Sequence, residues 1–202
     1  MARKKQEGIL TKPLILLDRD GVLNRLVADP EQGTIDSPLH PTQVDVFPWV
    51  PEAVAMLVEG GYGLAIVTNQ PAWAKGKTTQ KNLLAVHEAV VNAVISKGGK
   101  VLSSHICFHK AEDNCDCRKP KTGLLEEAFI SNHGSTKEGS WMVGDGLTDI
   151  EAGASAGVRT AFIGARKCDM CQIMMEKGLK PDFWGSSLME FAEYILRNKK
   201  GR

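Results

Sequence analysis

Leu14-Ile15-Leu16-Leu17-Asp18-Arg19-Asp20-Gly21 is the stretch on which the reading of this chain turns. Four consecutive aliphatic residues predict a strand buried on both faces, as in a parallel sheet. The run ends in two carboxylates one residue apart, and Gly21 lets the backbone turn away behind them. Open α/β sheets gather ligands at the carboxyl ends of their strands. An ionised aspartate there can attack phosphorus, and a second acid beside it can move protons.

Outward from this stretch the pattern repeats. Pro48 and Pro51 precede a helix over 52–59 that Gly60-Gly61 stops. Leu64–Val67 is a second buried strand, ending in Thr68-Asn69-Gln70. Thr78 or Thr79 caps a helix through about Ser96. Leu124–Ile130 predicts another helix. Trp141–Val143 is a third strand, closed by Gly144-Asp145. Thr148 and Glu151 predict a capping box for the helix that stops at Gly157, and Ser187 and Glu190 predict another for the last helix. Arg159–Ile163 is a fourth strand, Asp169 and Gln172 open a short helix, and Asp182–Trp184 is an edge strand. Strands alternating with helices predict an α/β fold, a three-layer, doubly wound parallel sheet with right-handed crossovers. Residues 14–196 read as a single domain between basic tails at 1–13 and 197–202. The segment from Gly21 to about Val46 reads as a long polar loop.

The chain has 202 residues and a net charge of +1, which argues against a dedicated nucleic-acid or membrane-surface binder. The basic start, with Arg3, Lys4 and Lys5, leads into no signal-length apolar run, so a cytoplasmic protein and a monomer are expected. Among the five cysteines, Cys107-x-His109 and Cys115-x-Cys117 supply three thiolates and an imidazole within 107–117, a set suited to structural zinc. His105 is a competing ligand by position. Cys168-x-x-Cys171 has metal spacing but reads as a pair of ordinary thiols.

Three strand ends thus carry groups suited to phosphate chemistry. Asp18 and Asp20 close the first. Thr68 and Asn69, partners for phosphoryl oxygens, close the second. Asp145 closes the third, with Asp149 four residues on, giving carboxylates for a hard cation such as Mg²⁺. Lys119 offers positive charge to a transferring phosphoryl group.

This series resembles the haloacid-dehalogenase-like phosphatase family, whose signature is Asp-x-Asp-Gly, a Thr or Ser after the second strand, a Lys, and Gly-Asp-x-x-x-Asp. The resemblance implies a HAD-like Rossmannoid fold without a large cap domain, for which this chain has no room between Gly21 and Leu64 or between Gln70 and Arg118. It implies that Asp18 is the nucleophile, Asp20 the acid and base, and Thr68 and Lys119 the phosphoryl holders. Mg²⁺ would sit on Asp18, Asp145 and the backbone carbonyl of Asp20. The Cys-Arg-Lys-Pro run and zinc loop extend the resemblance to zinc-bearing members that dephosphorylate heptose bisphosphates or histidinol phosphate, so a small phosphorylated metabolite, a sugar bisphosphate first, is the expected partner. Arg118 takes the substrate-recognition role, with Asn24, Asn69 and Lys75 in the expected binding set. Lys75 stands where the family has an arginine, and Pro71-Ala72-Trp73 replaces its Ser-Gly run. Two other classes fit less well. Gly76-Lys77-Thr78 imitates the end of a kinase P-loop, but position 71 is proline where glycine is required. A catalytically silent zinc-binding interaction protein is at odds with intact Asp18, Asp20 and Asp145.

Overall fold

The computed structural model describes residues 12–29 and 33–199. Its core is a six-stranded parallel sheet in the order β5-β4-β1-β6-β7-β8. These strands are β1 (Lys12–Leu17), β4 (Gly63–Asn69), β5 (Ser103–Cys107), β6 (Ser135–Gly144), β7 (Arg159–Ile163) and β8 (Phe183–Gly185). Two short strands, β2 (Val27–Asp29) and β3 (Thr34–Asp36), pair antiparallel as a separate hairpin.

The apolar run behaves as its sequence dictates. Leu14, Ile15, Leu16 and Leu17 are all buried, and alternation sends them to opposite faces. Ile15 and Leu17 join one core with Leu64, Ile66, Trp141 and Val143. Leu14 and Leu16 join the other with Ala65, Val67 and Met142. Each such fully buried side chain contributes about 1.5–3 kcal/mol. Helices α1 (Val50–Glu59), α2 (Gln80–Val94) and α6 (Leu188–Lys199) cover the first face, and α3 (Gly123–Ser131) and α4 (Leu147–Ala156) the second. Met174 of α5 (Cys168–Glu176) packs on Ile150 and Phe162 beside them. Three layers with the sheet in the middle are therefore observed.

Several local readings are corrected. The Gly21–Val46 loop contains the β2–β3 hairpin and a short 3₁₀ turn at Pro41–Gln43. The stretch before Cys107 is a full edge strand, paired to β4 from Ala65↔Ser103 to Asn69↔Cys107. Thr148 and Glu151 do not cap α4. Gly146 is the cap, its N–H donating to Asp149 Oδ2 at 3.0 Å, while Glu151 pairs with Lys177. Ser187 does accept from the Glu190 N–H at 3.2 Å, but Glu190 returns to the Ser186 N–H at 2.8 Å. Thr79 caps α2, which ends at Val94, short of Ser96. Lys167, and not Asp169, stands at the cap of α5. The expected tails are shorter: Lys12 and Pro13 belong to β1 and Arg197–Lys199 to α6, while 1–11 and 200–202 lie outside the described residues.

Candidate active site

The order of strands puts β4, β1 and β6 side by side in the middle of the sheet, so their C-terminal ends converge. The Asp18 N–H continues the ladder to the Val143 carbonyl at 2.9 Å, which aligns the first acid with the end of β6. Gly21 then turns at φ +83°, and a Cβ there would overlap the Asp145 carboxylate. Glycine is thus required twice, for the left-handed backbone and for the close approach of the two acidic strand ends.

Asp18, Asp145 and Asp149 bring carboxylate oxygens within 4.8 Å of one another. The Lys119 ammonium sits among them, 2.8 Å from Asp18 Oδ1 and 2.6 Å from Asp149 Oδ1, and donates to the Val67 carbonyl at 2.8 Å. Burial alone would push Lys119 down, but Asp149 and Asp18 outweigh it and hold it well above the usual lysine range. Burial lifts Asp18 to about 6, with Asp149 and Asp20 adding to it and Lys119 pulling back. Asp145 is lifted to about 7 by burial and by the charges of Asp18 and Asp149. Three carboxylates against one ammonium leave this cluster short of positive charge, and a hard divalent cation fits the donor set.

Asp20 faces the other way. Its carboxylate is gripped by the fully buried Arg19, at 3.0 and 3.1 Å from Nη2 and 3.2 Å from Nε. Asn24 Nδ2 at 2.8 Å and Gln70 Nε2 at 2.6 Å complete the grip. Burial pushes Asp20 up, yet these four donors prevail and hold it below the usual carboxylate range. Gln70 Nε2 also reaches Thr68 Oγ1 at 3.0 Å, linking the acid to the hydroxyl at the end of β4. Arg19, Gln70 and Asp149 enlarge the set expected to do the chemistry. The roles of Arg19 and Gln70 leave no local trace in sequence, because one rests on burial and the other on a contact fifty positions away. Asn24 is wholly buried, and its amide supports Asp20. Asn69 is engaged with the Lys119 backbone in both directions at 3.1 Å, so it fixes the lysine segment to β4.

The cysteine loop is a compact knot at the sheet edge. Cys107, His109, Cys115 and Cys117 offer ligand atoms within 4.8 Å of one another. The three sulfur pairs stand at 3.7, 3.2 and 3.4 Å, and His109 Nδ1 lies 3.3 Å from Cys117 Sγ. A tetrahedral zinc with bonds of about 2.3 Å has sulfur–sulfur edges of about 3.8 Å, so the donors fit that metal. Burial and the neighbouring thiols push Cys117 upward, a crowding that a dication relieves. His105 stands outside the knot, 3.5 Å from Glu127 and 3.0 Å from Ser103 Oγ. Cys168 and Cys171 are unbridged on α5 and belong to neither cluster.

The knot is tied to the acids. The Gln70 N–H donates to the Cys107 carbonyl at 2.7 Å. Arg118, between Cys117 and Lys119, lays Nη1 on the His109 carbonyl at 3.1 Å. Trp73 and Phe108 meet edge to face at 6.2 Å, joining the loop after β4 to the knot. Lys75 is exposed on that loop. Lys77 pairs with Asp36 and Thr78 Oγ1 donates to the Leu39 carbonyl at 3.0 Å, so the P-loop-like residues fasten the hairpin side and form no phosphate cradle.

Comparison with known proteins agrees with this geometry. Residues 116–190 match the HAD-hydrolase-like family model. D-glycero-beta-D-manno-heptose-1,7-bisphosphate 7-phosphatase of Neisseria meningitidis is 32% identical over 191 residues, 91% of this chain and 95% of that protein. The bifunctional histidine biosynthesis protein HisB of Legionella pneumophila is 33% identical over 73% of this chain but only 40% of its own length. The crystal structure of D,D-heptose 1,7-bisphosphate phosphatase from B. bronchiseptica, complexed with magnesium and phosphate, superposes with a TM-score of 0.75 at 28% identity, covering 92% of this chain and 99% of that one. By this likeness over nearly its whole length, the chain belongs to the HAD-like phosphatases.

Proposed function

We propose that this chain removes one phosphate from a sugar bisphosphate, D-glycero-D-manno-heptose 1,7-bisphosphate, through an aspartyl-phosphate on Asp18. Asp18 is poised between Lys119 and the end of β6, and its carboxylate remains largely ionised at neutral pH. It attacks phosphorus as the sugar alkoxide departs on the opposite side. Asp20 gives that alkoxide a proton, then takes one from the water that hydrolyses the acyl phosphate, releasing inorganic phosphate and regenerating Asp18. In the resting arrangement Asp20 is ionised on Arg19, which suits the second step. For the first, its carboxyl must leave that fork and carry a proton. Thr68 and Lys119 hold the transferring phosphoryl oxygens. Mg²⁺ would be held by Asp18, Asp145 and the Asp20 carbonyl, with Asp149 behind, and when bound supplies the charge that lets an anionic nucleophile meet a phosphate. Cys107, His109, Cys115 and Cys117 hold structural zinc in this reading. The chain acts as a monomer in the cytoplasm, where its five unbridged cysteines stay reduced.

The observation that carries the substrate reading is Arg118. Its backbone is pinned between the knot and Lys119, and its guanidinium donates to the His109 carbonyl of the knot. That placement suits a second anionic group, with Lys75, Asn69 and Asn24 completing or supporting the pocket. Kinetics on heptose 1,7-bisphosphate, histidinol phosphate and p-nitrophenyl phosphate, each with and without Mg²⁺, test the proposal. Preference for the heptose bisphosphate supports it. A preference for histidinol phosphate moves the substrate to the second class of relatives, and no Mg²⁺-dependent turnover on any of the three removes the proposal.

A further inference from the structure

A cavity of about 630 Å³ opens at the N-terminal end of the sheet, away from the acids. Tyr62 precedes β4, Trp141 lies in β6, Arg159 begins β7, and Tyr194, Arg197 and Lys199 come from α6. Trp141 is level with Ile15, three residues before Asp18, so the cavity stands about 10 Å or more from the catalytic end at the rise of a strand. We propose that this cavity is a second binding site, for a phosphate-type oxyanion.

Three cations and an indole N–H lie in the lining, beside the Gly139 backbone and the Asn198 amide. Arg159 Nη2 stands 3.5 Å from the Gly139 carbonyl and Lys199 donates to the Gly60 carbonyl at 2.6 Å, which leaves each with further donor capacity. Arg159 lies over the Trp141 ring at 4.2 Å, and Lys199 over the Tyr62 ring at 4.9 Å. Arg197 is the third cation, and no carboxylate occurs among the described residues that line the cavity. Glu193 takes Arg197 Nη2 at 2.9 Å from outside that lining. Trp141 is 1% exposed, and its indole N–H is buried with no acceptor among the described residues. The ring packs on Phe191 at 5.2 Å and Tyr194 at 6.4 Å, a task phenylalanine would perform without an orphaned donor. Burial pushes the Tyr62 phenol upward, with Arg159 opposing, so it too keeps its proton. Tryptophan, arginine and lysine side chains can only donate. A ligand that only accepts, with several oxygens and a negative charge, satisfies them together, and guanidinium recognises such an oxyanion bidentately. The volume lies in the ordinary range of small-ligand sites. The ring faces already carry cations, which leaves the oxyanion, and no planar base, as the group recognised.

Free phosphate and the phosphate of a monoester share this chemistry. None of the catalytic assignments is needed for the site, so its test is independent of theirs. The full chain is labelled with ¹⁵N, the Trp141 indole N–H resonance is assigned with Trp141→Phe, and inorganic phosphate or glucose 6-phosphate is titrated without Mg²⁺. The expected result is a saturable shift of that resonance, weakened about tenfold or more in Arg159→Gln and in Arg197→Gln, as for loss of a charge-assisted contact. Both variants keep kcat/KM for p-nitrophenyl phosphate within about twofold, since neither residue nears the acids. A response to both anions assigns a general phosphate site, and a response to glucose 6-phosphate alone assigns a monoester site. An unmoved Trp141 resonance at about 10 mM anion, or an undiminished shift in both variants, overturns the proposal.

Discussion

Asp18 is the proposed nucleophile, and its amide analogue tests that directly. Asp18→Asn keeps the shape while removing the nucleophile, so turnover falls by roughly four orders of magnitude or more with the fold intact. Acid-quenched wild type yields a labelled aspartyl-phosphate that the variant does not. Arg118 separates recognition from chemistry. Arg118→Ala lowers kcat/KM on a bisphosphate by about ten- to a hundredfold, the worth of a charge-assisted contact, with much less effect on p-nitrophenyl phosphate. Equal losses on both substrates would instead place Arg118 on the transferring phosphate. Arg19 makes a different demand. Its guanidinium is sealed inside with Asp20. Removing one partner of such a pair leaves a buried charge alone, so Arg19→Met costs about 3–5 kcal/mol in urea unfolding. An effect under about 1 kcal/mol would mean the pair is solvated. Asp18, Asp20, Thr68, Lys119 and Asp145 were legible in the sequence because each closes a strand or stands in a short motif. Arg19 and Gln70 were not, because their meaning lies in contacts such as Gln70 to Asp20 across fifty positions.

At the level of elements, β5 and the knot form one unit. Cys107 ends the strand, Asn69 is its partner in register, and the knot leads straight into Lys119. A Cβ at Gly123 would strike the Asp116 carbonyl, so the knot is also seated on the first turn of α3. With zinc in the knot as proposed, chelation, or Cys115→Ser, lowers Tm by about 5–15 °C at roughly 2–4 °C per kcal/mol for a chain of this size. Amide exchange accelerates across the Lys119 segment while β7 stays protected, and uniform acceleration would contradict this local role. The central strands β1, β4 and β6 were readable because their apolar runs are buried on both faces. The β2–β3 hairpin was not, since three-residue strands with exposed faces carry no period. The Thr148–Glu151 box misled for a definite reason: Asp149 reaches the Gly146 N–H first and starts the helix two residues earlier.

Across the whole molecule, the acids couple metal binding to stability. Asp18 and Asp145 have folded values near 6 and 7, above the unfolded 3.8. Without a metal the folded state holds extra protons there, so their contribution is full at low pH and lost as pH climbs from about 4 to 7. His87, pushed by burial to about 4 from 6.5, acts oppositely over much of that window. Mg²⁺ removes the first effect and leaves the second. The stability gained from Mg²⁺ should therefore grow with pH between about 4 and 7, measured as the difference between urea midpoints with and without it; a gain independent of pH would break the linkage. The sheet order has another consequence, for the birth of the chain. Leu14–Leu17 pairs on one side with β4, but on the other with β6, so Leu14 awaits Ser140, 126 residues later. At about 5–20 residues per second, a ribosome leaves that side of β1 unpaired for roughly 6–25 s. Every nascent chain thus displays its most apolar edge, without a working centre, until the segment around Ser140 has emerged.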